Sequence, residues 1–476
     1  MADQSVRCVS RRQLLQLGMM SAAGALLVAC GGESSQPAAA PAKPADSTPA
    51  KPAESKPAAP AAQPAATAPA SGQAAAKPDP AKPAAGQAPA VSKAHAGKTI
   101  KFGTLANFKG DALEKALPEF EQATGIKVQL DKLPLENLVD KLTVSFAGGS
   151  SDYDVAMIDE PWVAGLSQYL QPIEDLATRD NVDTGTYVAK AMGAGTYKDV
   201  KLALPLDPNV QMVWYRKDLF DAKGVKPPTN LDELIAAAEK LHDPANDVSG
   251  ISIAAKKEAQ TMVAAITLLW KEGGEVITPD GTWGFDTPAG LKAFETYQRI
   301  LKVAPQGSLA YGGAEQLDAF YQGKVATILY WASAGPNAID PAKSKVADKV
   351  GWTSIPNAMS GVWVLGIPKS SKNQEAAWEY VKWQTGPAGS LPFTNFGGGH
   401  SASVDTLKAA DFVKKYPWAP DLQKALESSK ARPQTPHWTA IQTAIVDMST
   451  AILSGQQKPE QAIKAAGEQL ATYLKS

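Results

Sequence analysis

A break in composition near residue 97 divides this chain into a part that can fold and a part that cannot. From Gly31 to about Gly97 the chain is dominated by Ala, Pro, Lys, Ser and Gln, and A-K-P-A recurs at Ala42, Ala50 and Ala81. No aromatic residue appears there and no apolar periodicity survives, so the segment has nothing from which to build a core. Its prolines favour extended conformations, reaching on the order of 200 Å at full extension and ~45 Å as a coil. Folded structure is therefore confined to about 98–476. Of the 476 residues, 44% are apolar, enough for two domains and a large core.

The N-terminus reads as an address. Ser10 to Gln16 is S-R-R-Q-L-L-Q, followed by a short apolar run that ends L-V-A-C at Leu27–Cys30. Basic residues, a short apolar segment and then small residues are the layout of a secretory signal. The run is too short to span a bilayer comfortably. Arg11 and Arg12 fit a twin-arginine signal. The L-V-A-C ending resembles a bacterial lipobox, in which Cys30 is lipidated and becomes the first residue. An uncleaved N-terminal anchor is the other reading. Residues 1–29 are expected to be removed and 30–97 to act as a lipid-anchored tether. No later segment has eighteen uninterrupted apolar residues, so no further membrane helix is expected.

Several function classes are excluded early. The only cysteines are Cys8 and Cys30, so the folded part has no disulfide, thiolate nucleophile or Cys-based metal site. His95, His242, His400 and His437 lie far apart and show no metal-ligand spacing; His437, within P-H-W, reads as structural. A net charge of −1 argues against nucleic acid as a partner. There is no G-x-S-x-G, H-E-x-x-H or G-x-x-x-x-G-K-[ST]; together with the family resemblance given below, that absence leads us to expect neither a cofactor nor an enzyme.

From Lys98 the pattern becomes strand–helix–strand. Thr99–Leu105 predicts a strand and Asp111–Thr124 a helix, with Leu113, Leu117 and Phe120 at helical spacing and Gly125 as the stop. Ile126, Val128 and Leu130 alternate as a strand. Leu135–Ala147 predicts a helix and Val155–Ile158 another strand. Asn230 and Glu233 predict a capping box for a helix ending at Leu241. The last helix follows Pro459, with Ile463, Ala466, Leu470 and Leu474 on one side. The fold class is α/β, and the alternation predicts parallel sheets with helices on both faces.

In open α/β sheets ligands bind beyond the carboxyl ends of strands. That rule picks out Asn107-Phe108-Lys109, after the first strand, and Asp159-Glu160-Pro161-Trp162, after the strand ending at Ile158. Both loops set hydrogen-bonding groups beside an aromatic ring. A sugar wants polar groups for its hydroxyls and a flat apolar surface for its C–H faces, and ligand sites are mostly apolar with a few placed polar groups. The bland alternatives are helix capping or solvated charge for Asp159, Glu160 and Lys109, and core packing for Trp162. A glycoside hydrolase would need its two carboxyl groups to flank a bond. Asp159 and Glu160 are sequence neighbours whose side chains diverge along an extended chain.

Several stretches resemble one family. Tyr215 begins Y-R-K-D-L-F-D-A-K-G-V-K-P-P-T-N-L-D-E-L, Ala319 begins A-F-Y-Q-G-K-V-A-T-I-L-Y-W, and Gly361 begins G-V-W-V-L-G-I-P-K-S-S-K-N-Q-E-A-A-W-E-Y-V. With F-E-Q-A-T-G-I-K-V at Phe120, these resemble the family 1 extracellular solute-binding proteins, the maltose-binding-like subunits of ABC importers. The resemblance implies a periplasmic-binding-protein-like fold, with two lobes, each with a central β-sheet flanked by helices, joined by a multi-strand hinge. It places chain crossings near Pro205–Met212, Trp363–Ile367 and His400. One lobe is then 98–207 and 365–400, and the other 210–362 and 401–476.

The same resemblance brings Asp207 and Asn209, at the first crossing, to the cleft. Trp283, Trp331 and Trp363 are candidate platforms, with core packing the alternative for each; Trp378 and Trp383 lie in a predicted helix and read as packing. Gly361-Val362-Trp363 often reads G-G-W in the family, so Val362 is a departure. Gly398, in the glycine run before His400, allows close backbone approach. Arg216 and Arg299 lie outside the expected cleft loops, and Tyr153, Tyr169 and Tyr215 are scattered. The loops thus favour a neutral sugar over an anion or iron. The expected function is capture of a sugar or oligosaccharide by hinge closure and delivery to permease subunits. The chain would act as a monomer on the outer face of the cytoplasmic membrane. A non-sugar solute such as glycerol phosphate, polyamine or iron is the alternative.

Overall fold

The computed structural model describes residues 91–474. The export signal, Cys30 and nearly all of the tether lie outside the described residues. Ten strands organise the rest: β1 Thr99–Leu105, β2 Lys127–Leu133, β3 Val155–Asp159, β4 Thr196–Tyr197, β5 Val200–Lys201, β6 Ala203–Arg216, β7 Ser249–Ser252, β8 Val325–Trp331, β9 Val350–Thr353 and β10 Ser360–Gly366. β4 and β5 form a small hairpin. The others form one sheet in the order β2-β1-β3-β10-β6-β8-β7, with β9 also on β6.

The sheet is mixed, not parallel as expected. β1 is parallel to β2 and β3, and β7 to β8, which are the strand–helix–strand units the alternation predicts. The centre is antiparallel, because β10 runs back between β3 and β6. β6 is the shared element. Ala203–Val210 pairs with β10, whereas Gln211–Arg216 pairs with β8 and β9. Two sheets, one for each lobe, are thus continuous through a single long strand.

β6 carries Pro205 and Pro208, residues that cannot donate to a ladder and belong at sheet edges or bulges. Both fall in the half of β6 that has a strand on one side only. The pairing slips beside them, between Trp363 and Val364, leaving Leu206 without a partner across the ladder. The crossing is therefore written as a bulged, proline-bearing strand. Ser428–Lys430 joins it: Lys430 donates to Ala358 at 2.9 Å and accepts from Ser360 at 3.0 Å. Residues after His400 remain with the first lobe. Ser403 bridges Tyr187, and the Tyr416 hydroxyl donates to the Thr394 carbonyl at 3.2 Å. Trp418 then packs on Trp214 of the second lobe, ring centroids 5.4 Å apart.

Helix α1 is Phe108–Thr124 and α2 is Leu135–Ala147. α1 begins three residues before the expected start because Asn107 caps it, accepting from the Lys109 N–H at 2.9 Å. It ends at Gly125 with φ of 73°, a left-handed stop. Phe120 packs on Tyr380 and Trp383 at 5.1 Å and 5.3 Å. Trp378 is fully buried, with its indole N–H on Asp180 at 2.9 Å. Among the described residues no helix is long and apolar enough to cross a membrane.

The helix Leu231–Leu241 shows how local chemistry sets an end. The Asn230 side chain accepts from the Glu233 N–H at 2.9 Å, but the Glu233 carboxylate reaches Thr229, not Asn230. Thr229 supplies both an N–H and a hydroxyl, which outcompetes a single N–H. Asn230→Ala is expected to cost about 1 kcal/mol, a typical N-cap loss. Denaturant unfolding should show a lower midpoint with an unchanged slope.

Candidate functional site

A cleft of about 400 Å³ opens at the crossing strands. Sheet register builds its floor. Trp363 on β10 stands opposite Asp159 on β3 and opposite Asp207 on β6. Directly opposed residues share a face, so a carboxylate, an indole and a second carboxylate lie in one row. Each carboxylate takes a cation from another element.

Asp207 is fully buried and paired with the Lys109 ammonium, which comes down from the first turn of α1. Lys109 Nζ also donates to the Gly398 carbonyl at 3.2 Å, and the His400 N–H donates to Asp207 at 3.0 Å. Lys109 faces the cleft and covers Asp207, which does not line it. Gly398 and Gly399 do allow a close approach, but to the protein itself. A Cβ on Gly398 would strike the Phe393 ring, and one on Gly399 would sit 2.5 Å from the Asp207 carboxyl carbon.

Asp159 receives a two-pronged contact from Arg432, at 2.8 Å and 2.7 Å, with both residues nearly buried. Arg432 lines the cleft. No pattern in the sequence marks it: it lies in the proline-flanked segment A-R-P-Q-T-P between two helices. Glu160 has partners of its own. It is buried beneath β10, where its carboxylate accepts from the Ser360 hydroxyl at 3.1 Å and the Val362 N–H at 3.4 Å. Burial pushes its pKa up against the opposing charge of Arg432. Val362, the departure from G-G-W, is thus part of a strand that satisfies a buried acid.

The aromatic candidates separate cleanly. Trp331 and Trp363 line the cleft. Trp331 lies across the Gly361 backbone, so close that a Cβ there would be 2.6 Å from its ring. Its indole N–H is held by Gln260 at 3.0 Å. Trp162 lies behind the cleft wall and meets Trp363 edge-on at 5.6 Å. Trp283 does not line the cleft; it packs on Phe285 at 5.1 Å and against Gly467.

Asn107, Phe108 and Asn209 also line the cleft. Both polar ends of Asn209 are held by Ser333, at 3.1 Å and 3.2 Å. Four further amides share one arrangement. Asn107 accepts from the Lys109 N–H, Gln260 from Trp331, Asn337 from the Lys343 ammonium at 2.8 Å, and Gln442 from the Trp438 indole at 3.2 Å. Each of those partners can only donate, so each amide oxygen must face it. The four NH2 groups, with no protein acceptor among the described residues, are left for the cleft. Acceptors stand among them. Glu258 lines the cleft and is steadied by the Gly313 N–H at 2.5 Å, at the start of the helix Gly313–Tyr321. The Tyr330 hydroxyl beside it is pushed above its ordinary pKa by burial and then by the charge of Glu258, so it stays protonated.

His400 is a buried base behind this floor. Its Nε2 accepts from the Trp418 indole at 2.8 Å, tying the third crossing to the second lobe. Burial lowers its pKa to about 4; nearby Asp207 opposes that shift and Lys109 adds to it. The unfolded histidine, near pKa ~6.5, takes up a proton first, so stability is lost as pH falls from ~6.5 toward 4. The loss from this residue is of order 3 kcal/mol. In thermal scans from pH 7 to pH 4, His400→Gln, which keeps an acceptor for Trp418, should show a visibly shallower decline than the parent.

Among the described residues no group of three or more His, Cys, Asp or Glu is placed to hold a metal ion. The family model for bacterial extracellular solute-binding proteins matches residues 107–390. The chain is 26% identical over 392 residues to a probable amino-acid ABC transporter periplasmic-binding protein of Sinorhizobium fredii, covering 79% of this chain and 89% of that one. It is 26% identical over 418 residues to a mannitol-binding protein of Pseudomonas aeruginosa, covering 80% and 94%. A solved solute-binding protein of Agrobacterium radiobacter K84, in complex with ribitol, superposes with a TM-score of 0.75 at 26% identity, covering 80% and 99%. The two-lobed fold, the cleft on its crossing strands and these matches agree: this chain belongs to the bacterial extracellular solute-binding protein family.

Proposed function

We propose that this chain is the capture subunit of an ABC importer, binding a neutral sugar or polyol between its lobes. The observation that carries the reading is the alternation of fixed amide donors with carboxylates around two indoles. A hydroxyl both accepts and donates, so it satisfies either kind of neighbour. A carboxylate or phosphate only accepts and would meet Asp159 and Glu258. An ammonium only donates and would meet the four amides. Trp331 and Trp363 offer flat surface to C–H faces.

The ligand-contacting residues we assign are Asn107, Phe108, Lys109, Asp159, Asn209, Trp331 and Trp363, joined by Arg432, Gln260, Glu258, Tyr330, Asn337 and Gln442. Asp207, Glu160, Trp162 and Gly398 support them from behind. Trp283 belongs to the second lobe's packing. The lobes are 98–207 with 365–400, and 210–362 with the C-terminal residues; the contacts of Ser401–Tyr416 argue for starting the latter near Trp418. Ligand touches both lobes only when they close about β6 and β10, so it shifts the population toward the closed form. Export of the chain, lipidation of Cys30 and the Ala/Pro/Lys tether would then hold a monomer near its permease.

The Sinorhizobium relative, a probable amino-acid transporter's binding protein, points to amino acids instead. An amino acid carboxylate wants an uncommitted cation, and both Lys109 and Arg432 are already paired. Thermal unfolding against neutral sugars, alditols, amino acids, polyamines and glycerol phosphate decides the matter. A ligand at a hundredfold excess over Kd stabilises by about 2.7 kcal/mol. A rise with a neutral sugar or alditol is expected, and Trp331→Ala and Gly361→Ala should each weaken that ligand by about tenfold or more. A rise confined to amino acids or phosphate esters would overturn the substrate class.

A further inference from the structure

We infer that Asp159 sets the charge class of the ligand, by occupying Arg432 and so closing the cleft to carboxylated and phosphorylated sugars. The inference rests on the sugar or polyol reading. An arginine in a cleft wall is ordinarily the group that recognises a carboxylate or phosphate, because its planar fork matches two oxygens. Here both terminal nitrogens of Arg432 are already on the two Asp159 oxygens, at 2.8 Å and 2.7 Å. Arg432 is 5% exposed and Asp159 8% at the side chain, so water does little to loosen the pair. The guanidinium is also fixed from the side, 6.0 Å from the Trp438 ring centroid.

The rest of the wall offers an anion no alternative. Lys109, the other cation lining the cleft, is held by Asp207. Glu258 and Glu136 also line the cleft. The nearest cation to Glu258 is Lys256, 3.9 Å away, half exposed and shared with Glu315. Glu160 adds a further acid behind Arg432. An incoming carboxylate would lose its water, find no free fork and face acids on two sides. A neutral hydroxyl loses far less hydration energy than an ion, needs no cation, and can donate to the lone pairs that Asp159 keeps.

The same arrangement implies that the selectivity is reversible at one position. Asp159→Ala removes the competing carboxylate, leaves space of its size beside Arg432 and leaves a buried, unpaired guanidinium. That state is costly, and a ligand anion relieves it. Arg432 Nε is already without a hydrogen-bond partner, so the group has donors to spare.

The test uses the exported chain and matched probes: glucose, glucuronate, glucose 6-phosphate and sorbitol, with inorganic sulfate as an anion independent of sugar recognition. Binding is read by calorimetry and thermal shift for the parent, Asp159→Ala, Asp159→Asn and Asp159→Ala with Arg432→Met. The parent should reject sulfate and both anionic sugars. Asp159→Ala should gain sulfate or an anionic sugar by about tenfold or more, as expected for hydrogen bonds to a charged group. The double variant replaces the pair by apolar atoms and should lose that gain while staying folded. Asp159→Asn, nearly isosteric, serves where the alanine variant does not fold. Parent protein that binds glucuronate or glucose 6-phosphate as tightly as a neutral probe overturns the inference, as does a folded Asp159 variant with no anion gain. If no sugar or alditol binds the parent in the wider panel, the sugar reading fails instead, and the sulfate arm still decides the role of Asp159.

Discussion

A lysine and an aspartate paired without water hold this molecule's crossing together. Lys109 comes from the first turn of α1, and Asp207 from the middle of the strand that both lobes share. Taking two charges out of water is expensive, and the cost is offset only where their remaining hydrogen-bonding capacity is met. The Gly398 carbonyl and the His400 N–H do that here. The pair therefore ties four places at once: a ligand loop, the hinge strand, the glycine run and the start of the third crossing. Because Asp207, Trp363 and Asp159 are in register across three strands, anchoring Asp207 also sets where the cleft floor lies. Arg432 repeats the device on the other side of Trp363.

Much of the fold was legible because its parts are local. The strand Thr99–Leu105 and the helix Leu135–Ala147 coincide with the elements expected from periodicity alone. α1 was read short, since Phe108, Lys109 and Gly110 carry no helical pattern and the start depends on an Asn107 side-chain bond. The mixed sheet was not legible. Strand direction at β6 and β10 depends on pairings across more than a hundred residues, which periodicity does not encode. The prolines of β6 were the available signal: two prolines in an apolar strand mark a stretch that is open on one side.

The site was legible in the same uneven way. The rule that ligands gather beyond strand ends found Asn107–Lys109 and Asp159, which the structure brings to one cleft. It also picked Glu160 and Trp162, which lie in the tight helical turn that follows the strand and serve the wall: Glu160 is bonded to Ser360 and Val362, and Trp162 packs edge-on against Trp363. Arg432 was invisible, because its importance comes from Asp159, far away in sequence. With Arg216 and Arg299 as the arginines in view, the loops read as arginine-poor. Arg216 in fact binds Asp218 and Arg299 binds Glu239. The neutral-ligand reading survives for a different reason: the cleft has an arginine, but one already committed.

That commitment is the common theme of the cleft wall. The Asn107, Gln260, Asn337 and Gln442 oxygens, both Asn209 ends, the Trp331 indole, Lys109 and Arg432 all have protein partners before any ligand arrives. A side chain fixed from behind loses little freedom when it is bound in front, so ligand hydrogen bonds are not spent on ordering it. What remains to be ordered is the relative position of the lobes. That degree of freedom runs through a bulged, proline-bearing strand that is paired on one side only along its first half. Rigid walls on a yielding crossing make lobe closure the step that the ligand drives, and make the closed form the natural signal for a partner to read.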